Sequence, residues 1–202
     1  MTAMKPLEID RTAIIAIHLQ HDMIGPDSAG AAVFGPELER TGVLRTVARI
    51  LERARKAGVQ VVYTRIAFQP GFPDLVDNSP LMRNVVQFGL HVEGTPGAEI
   101  TDEFEPQTDD LVVTNQRLTG FAGSELDTWL RAAGIDTLVF TGVATNLSVE
   151  GTARAAVDLG YRTVIVADAC ATNSQAAHDA SLATMALLAD ITTADELLEA
   201  MP

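Results

Sequence analysis

The sequence predicts a three-layer α/β/α fold built on a mainly parallel, Rossmann-like sheet of about six strands. Three observations predict it. Short, uninterrupted apolar runs such as Thr12-Ala-Ile-Ile-Ala-Ile17 recur along the chain, as strands buried on both faces require. Stretches with helical spacing of apolar residues separate those runs. Polar residues or a glycine turn stand directly after the runs, where open parallel sheets bind their ligands.

The first strand covers Thr12 to Ile17 and ends at His18, with Leu-Gln-His-Asp-Met following. Leu38, Val43, Leu44, Val47, Ile50, Leu51 and Ala54 mark one helix over 36–56, stopped by Gly58. Val59 to Thr64 is the second strand. The segment from Arg65 to Asp110 holds Pro70, Pro73, Pro80, Pro96 and Pro106 with several glycines and little periodicity, so it reads as a lid or an interface. Leu111 to Thr114 is the third strand, ending at Asn115. Ser124 caps a helix over 125–133. Asp136 to Thr141 is the fourth strand and Thr163 to Ala167 the fifth. A helix over 174–189, a short strand over 191–193 and a helix over 194–200 complete the pattern.

With 202 residues, 47% hydrophobic and 20% charged, the chain reads as one globular domain, 1–202. Its formal net charge of −13 excludes the basic footprint that nucleic acid or an anionic membrane needs. Cys170 is the single cysteine, so neither an intrachain disulfide nor a cysteine-built metal site is available. Met1 to Arg11 has no apolar signal core, and no run of about 18 apolar residues occurs, which points to a cytoplasmic protein.

The most informative stretch is Leu138 to Gly160. A strand enters the turn Gly142-Val-Ala-Thr145, and a helix starts at about Asn146. Such a turn gathers backbone N–H groups, and Ser148 lies in the first turn of the helix among them. The strand-end rule then gathers His18, Arg65, Asn115, the turn and Asp168.

Several ordered blocks give the chain a resemblance. Gln20 and Asp22 follow the first strand. Glu93-Gly-Thr-Pro-Gly97, Arg117-Leu-Thr-Gly-Phe121 and Gly134-Ile-Asp-Thr-Leu138 come next, then Thr141 to Asn146, Thr152-Ala-Arg154 and Asp168-Ala169. In these the sequence resembles the isochorismatase-like hydrolases, also called cysteine hydrolases. The resemblance covers nearly the whole chain. It implies the three-layer fold, a small-molecule substrate, a homo-oligomer and no cofactor.

That family's usual aspartate, lysine and cysteine positions are occupied here by His18, Asn115 and Ser148. A thiolate mechanism is excluded, because Cys170 follows a different strand. The replacements still compose a hydrolytic site: a serine hydroxyl needs a base, histidine is the common one, and asparagine can hold a histidine in the useful tautomer. The expectation is therefore hydrolysis of a small amide, ester or vinyl ether type bond. Two alternatives stand beside it. His18 can act as general acid or base without a covalent intermediate, or the chain can be a non-catalytic binding or oligomer-partner protein.

The turn at Ala144 is expected to supply oxyanion donors, with Gln20, Phe68, Arg117 and Phe121 around the substrate. No metal is expected, because the region after the second strand offers no histidine or carboxylate before Asp74. His91 reads as a surface residue and His178 as structural. Glu150 and Asp168 read as structural, and Cys170 as a small buried hydrophobe.

Overall fold

In the computed structural model, which describes residues 6–201, six parallel strands form one sheet in the order β3-β2-β1-β4-β5-β6. They are Thr12–Ile17 (β1), Gln60–Ile66 (β2), Leu111–Asn115 (β3), Thr137–Val143 (β4), Arg162–Ala171 (β5) and Asp190–Thr192 (β6). Every pairing is parallel. The chain leaves β1 through the short helix His21–Ile24 (α1), builds one side of the sheet and returns at β4 to build the other. The order thus reverses between β1 and β4, the switch point beyond whose strand ends open sheets of this kind bind their ligands.

Residue parity sorts the two faces. Ile14, Ala16, Val61, Tyr63, Val139, Val164 and Val166 meet helices Ala29–Thr41 (α2), Val43–Ala57 (α3) and Ala194–Glu199 (α8). Ala13, Ile15, Ile17, Val62, Val113, Leu138, Phe140 and Ile165 meet Leu126–Ala132 (α5), Glu150–Asp158 (α6) and Gln175–Met185 (α7). Helix α3 shows why such stripes form: Val43, Val47, Ile50, Leu51 and Ala54 recur at helical spacing and are all buried. Each large aliphatic side chain removed from water contributes about 1.5–3 kcal/mol.

Two expectations are corrected. The single helix expected over 36–56 is two helices, because the chain starts earlier, on the Ser28 cap, and breaks at Gly42. Gly42 adopts φ of 65°, a left-handed conformation that glycine reaches without a Cβ penalty. The segment over 65–110 is more ordered than its proline content suggests. It carries helix Pro80–Phe88 (α4), capped by the Ser79 hydroxyl. Ile66, Phe68, Met82 and Val85 form a separate small core under it. The Gln20–Ile100 bridge ties the segment to the rest of the molecule, and the Phe68–Val92 bridge joins two of its own parts.

Candidate functional site

The sheet register decides what meets at the crevice. Ile17 lies opposite Thr64 of β2 and Gly142 of β4, and Ile66 lies opposite Asn115 of β3. His18 therefore emerges at the switch point itself, beside the turn that leads to Ser148. Asn115 emerges one residue further along, two strands away on the β3 side. Gly142 is required by this contact. A Cβ on it would sit 2.2 Å from the Ile17 carbonyl oxygen, and its φ is 110°.

His18 is held in a left-handed backbone conformation with φ of 52°, unusual for a residue with a side chain. Its N–H donates to the Thr64 carbonyl at 3.1 Å. The ring is 1% exposed, and Nδ1 has no hydrogen-bond partner among the described residues. Burial, with a second imidazole (His91) nearby, pushes its pKa from the usual histidine range down to about 3. His18 is a neutral imidazole at neutral pH.

The turn after β4 takes a tighter course than the expected helix start. A cis peptide joins Val143 to Ala144, a π-helical turn follows over Thr145–Val149, and α6 begins only at Glu150. The turn is fixed from several sides. Thr145 Oγ1 lies 2.9 Å from His178 Nδ1, Asn146 Oδ1 accepts from the Thr172 hydroxyl at 2.6 Å, and the Ser148 carbonyl accepts from the Thr152 hydroxyl at 2.6 Å. The Ala144 carbonyl accepts from the N–H groups of Leu147 and Val149. The N–H groups of Ala144, Thr145 and Asn146 meet no backbone acceptor among the described residues. They are the donors this turn can offer an oxygen.

Ser148 is 5% exposed, and no hydrogen bond joins its hydroxyl to His18. Nor does Asn115 orient His18. Its Nδ2 donates to the Arg117 carbonyl at 2.6 Å, an acceptor that also fixes which way the amide faces. Asn115 Oδ1 is buried without a partner. The structure thus brings His18, Asn115 and Ser148 to the sheet's carboxyl end without linking them into a hydrogen-bonded triad.

The remaining expected site residues fall elsewhere. Gln20 turns its amide to the backbone, with both donors spent: Nε2 donates to the carbonyls of Ile66 and Ala98 at 2.7 Å each, and Oε1 accepts from Ile66 N–H at 2.8 Å. It clamps the ends of β1 and β2 to the 65–110 segment. Phe68 is wholly buried in the small core under α4, with Phe72 at a ring-centroid distance of 6.1 Å. Phe121 stacks on Tyr161 at 5.9 Å and packs on the α5/α6/α7 side. The Arg117 guanidinium donates to the Gln116 carbonyl. Glu150 accepts from the Ser181 hydroxyl and pairs with Arg154, Asp168 accepts from Ala194 N–H, and Cys170 is buried with its thiol pKa pushed up by burial. His18, Asn115 and Ser148 line none of the cavities of about 180–490 Å³.

His91 reverses its expectation. It is 4% exposed, not superficial, and stands close enough to His18 for its charge to bear on that ring. The sequence signal was its position two residues before the Glu93–Gly97 block. The same block supplies Gly97, where a Cβ would meet the Asp22 carboxylate at 2.4 Å. Asp22 in turn accepts from the His91 N–H at 2.6 Å. Among the described residues no three His, Cys, Asp or Glu side chains converge as metal ligands.

Comparison with known proteins bears on this geometry. The isochorismatase domain model matches residues 12–196. The chain is 33% identical over 181 residues to the isochorismatase family protein YwoC of Bacillus subtilis, covering 89% of this chain and 88% of that one. It is 34% identical over 187 residues to the ureidoacrylate amidohydrolase RutB of Rhizobium rhizogenes, covering 82% of this chain and 71% of the relative. The crystal structure of a cysteine hydrolase from Pseudomonas syringae superposes with a TM-score of 0.86 at 27% identity, covering 98% of this chain and 96% of that one.

Proposed function

The chain belongs to the isochorismatase family, and from that premise we propose that it hydrolyses a small amide or ureido compound, with Ser148 as the attacking hydroxyl. The observation that carries this reading is the set of neutral polar groups left unpaired where the strands end. Asn115 Oδ1 can accept from a substrate N–H, and the N–H groups of Ala144, Thr145 and Asn146 can hold a carbonyl oxygen. A carboxamide or ureido group offers both kinds of atom at once. The relative named as a ureidoacrylate amidohydrolase supports the substrate class.

In the proposed reaction the Ser148 oxygen bonds to the carbonyl carbon while its proton passes to His18, and the carbonyl electron pair moves onto oxygen. Collapse breaks the C–N bond, and His18 returns the proton to the departing nitrogen. Water then hydrolyses the acyl-serine by the same steps in reverse order of groups. A neutral, weakly basic His18 leaves most of the work to the turn's N–H groups, which need no reorganisation as charge develops. The missing Ser148–His18 hydrogen bond would form when substrate closes the gap.

The missing bond and the depressed basicity of His18 also favour a second reading: a protein that binds the same neutral group without cleaving it. One experiment separates the two. Purified protein is assayed on small amides, ureido compounds, esters and vinyl ethers, and a Ser148 adduct is sought by mass spectrometry. Under the hydrolase reading Ser148→Ala loses on the order of 10³-fold or more in kcat, and the adduct maps to Ser148. Loss in His18→Ala alone moves the chemistry to acid–base catalysis by His18. Binding without turnover establishes the second reading.

A further inference from the structure

His91 belongs to neither the expected site nor the proposed reaction, yet it is built into the crevice. Its backbone is left-handed, with φ of 57°, and is pinned on both sides. Its N–H donates to Asp22 Oδ2 at 2.6 Å, and its carbonyl accepts from Phe68 N–H at 2.8 Å. The ring Nδ1 lies 3.6 Å from the same Asp22 oxygen. That nitrogen is buried and makes no hydrogen bond, as is true of His18 Nδ1. Two buried imidazoles thus stand near each other, and one carboxylate serves only one of them.

We propose that His91, backed by Asp22, is the charge partner of His18: the proton that this crevice takes up resides on His91, where its charge adds to burial in keeping His18 a neutral imidazole. His91 is a positioning residue in this scheme, since it acts through His18. The proposal rests on the reading of His18 as the imidazole of the site.

The electrostatics have the required asymmetry. Burial lowers both rings, but the Asp22 carboxylate opposes the shift at His91, whereas nothing opposes it at His18. The other charges at hand are already committed. Glu93, two residues on from His91, is bidentate on Arg65, and Arg65 also meets Glu99. His21 faces Asp102 at 3.9 Å. A proton on His91 therefore finds its counter-charge at Asp22, 3.6 Å away.

Imidazole ¹⁵N NMR tests this without a substrate, because the chain has only four histidines. As the pH is lowered, His91 should take up its proton before His18 does. Asp22→Asn keeps an acceptor for the His91 N–H but removes the charge, and should lower the His91 midpoint by about one pH unit or more. His91→Gln, with His91→Asn as a second variant, removes the neighbouring positive charge and should let His18 protonate about one unit higher. His178, half-buried on α7, should titrate unchanged, which reports that the variants are folded. Protonation of His18 before His91, or no response of His91 to Asp22→Asn, overturns the partnership. So does an unmoved His18 in both His91 variants. Absence of turnover would strike the hydrolase reading and leave these titrations as they are.

Discussion

Gln20 illustrates how a single side chain can look like a ligand group and serve as a joint. Its amide satisfies three backbone groups, and it is wholly buried. Gln20→Met keeps the volume and leaves two carbonyls and an N–H buried without partners, so a loss of about 2–5 kcal/mol is expected. Urea denaturation measures it; a change below about 1 kcal/mol would return Gln20 to the list of ligand groups. Residue identity made His18, Asn115 and Ser148 legible from the sequence, because each stands at a strand end or in a glycine turn. It could not reveal that Asn115 spends its Nδ2 on the Arg117 carbonyl, a contact made inside the loop that follows. Nor could it place His91, whose N–H is held by Asp22, 69 residues away in the sequence.

At the scale of elements, the β4 turn is the most constrained piece of the fold. Gly142 admits β4 against Ile17 just before His18, where the β4–β5 register also shifts between Phe140 and Gly142. Gly142→Ala forces a Cβ against the Ile17 carbonyl at a left-handed φ, and should destabilise by about 2 kcal/mol or more. Because the same contact sets His18 beside the turn, any turnover should fall by more than the stability loss explains. Thermal melting together with kcat on the folded fraction checks both. A variant with unchanged melting and unchanged kcat would show that the strand end can shift without consequence. The strand–turn–helix pattern of this stretch was readable because a parallel strand is a plain apolar run. The helices were harder. Gly42 divides a continuous helical stripe, and α4 lies among prolines, of which Pro80 starts the helix instead of preventing it.

For the whole molecule, the parallel sheet and its two apolar faces follow from parity and from the alternation of strand and helix. The switch point between β1 and β4 is a property of strand order, which no local pattern contains. Burying imidazoles at that point couples the site to folding. The unfolded His18 titrates near its ordinary value of 6.5, and the folded one at about 3. Between those values the unfolded chain binds a proton that the native chain refuses, so stability is full above the window and falls as the pH drops through it. His91 and His178 are shifted in the same direction by burial and add to the slope. The lowered carboxylates, Asp136 beside Arg11 and Glu37 beside Arg40 among them, act below about pH 4.5, so the higher part of the window belongs to the imidazoles. For His18 alone the loss from about pH 7.5 to about pH 5 comes to about 2 kcal/mol. His18→Gln should remove that share, leaving a flatter curve whose remaining slope comes from His91 and His178. Urea denaturation of both proteins at the two pH values measures the difference. Parallel curves would mean that His18 accepts its proton in the folded state as readily as in water, and that the crevice is wetter than its burial indicates.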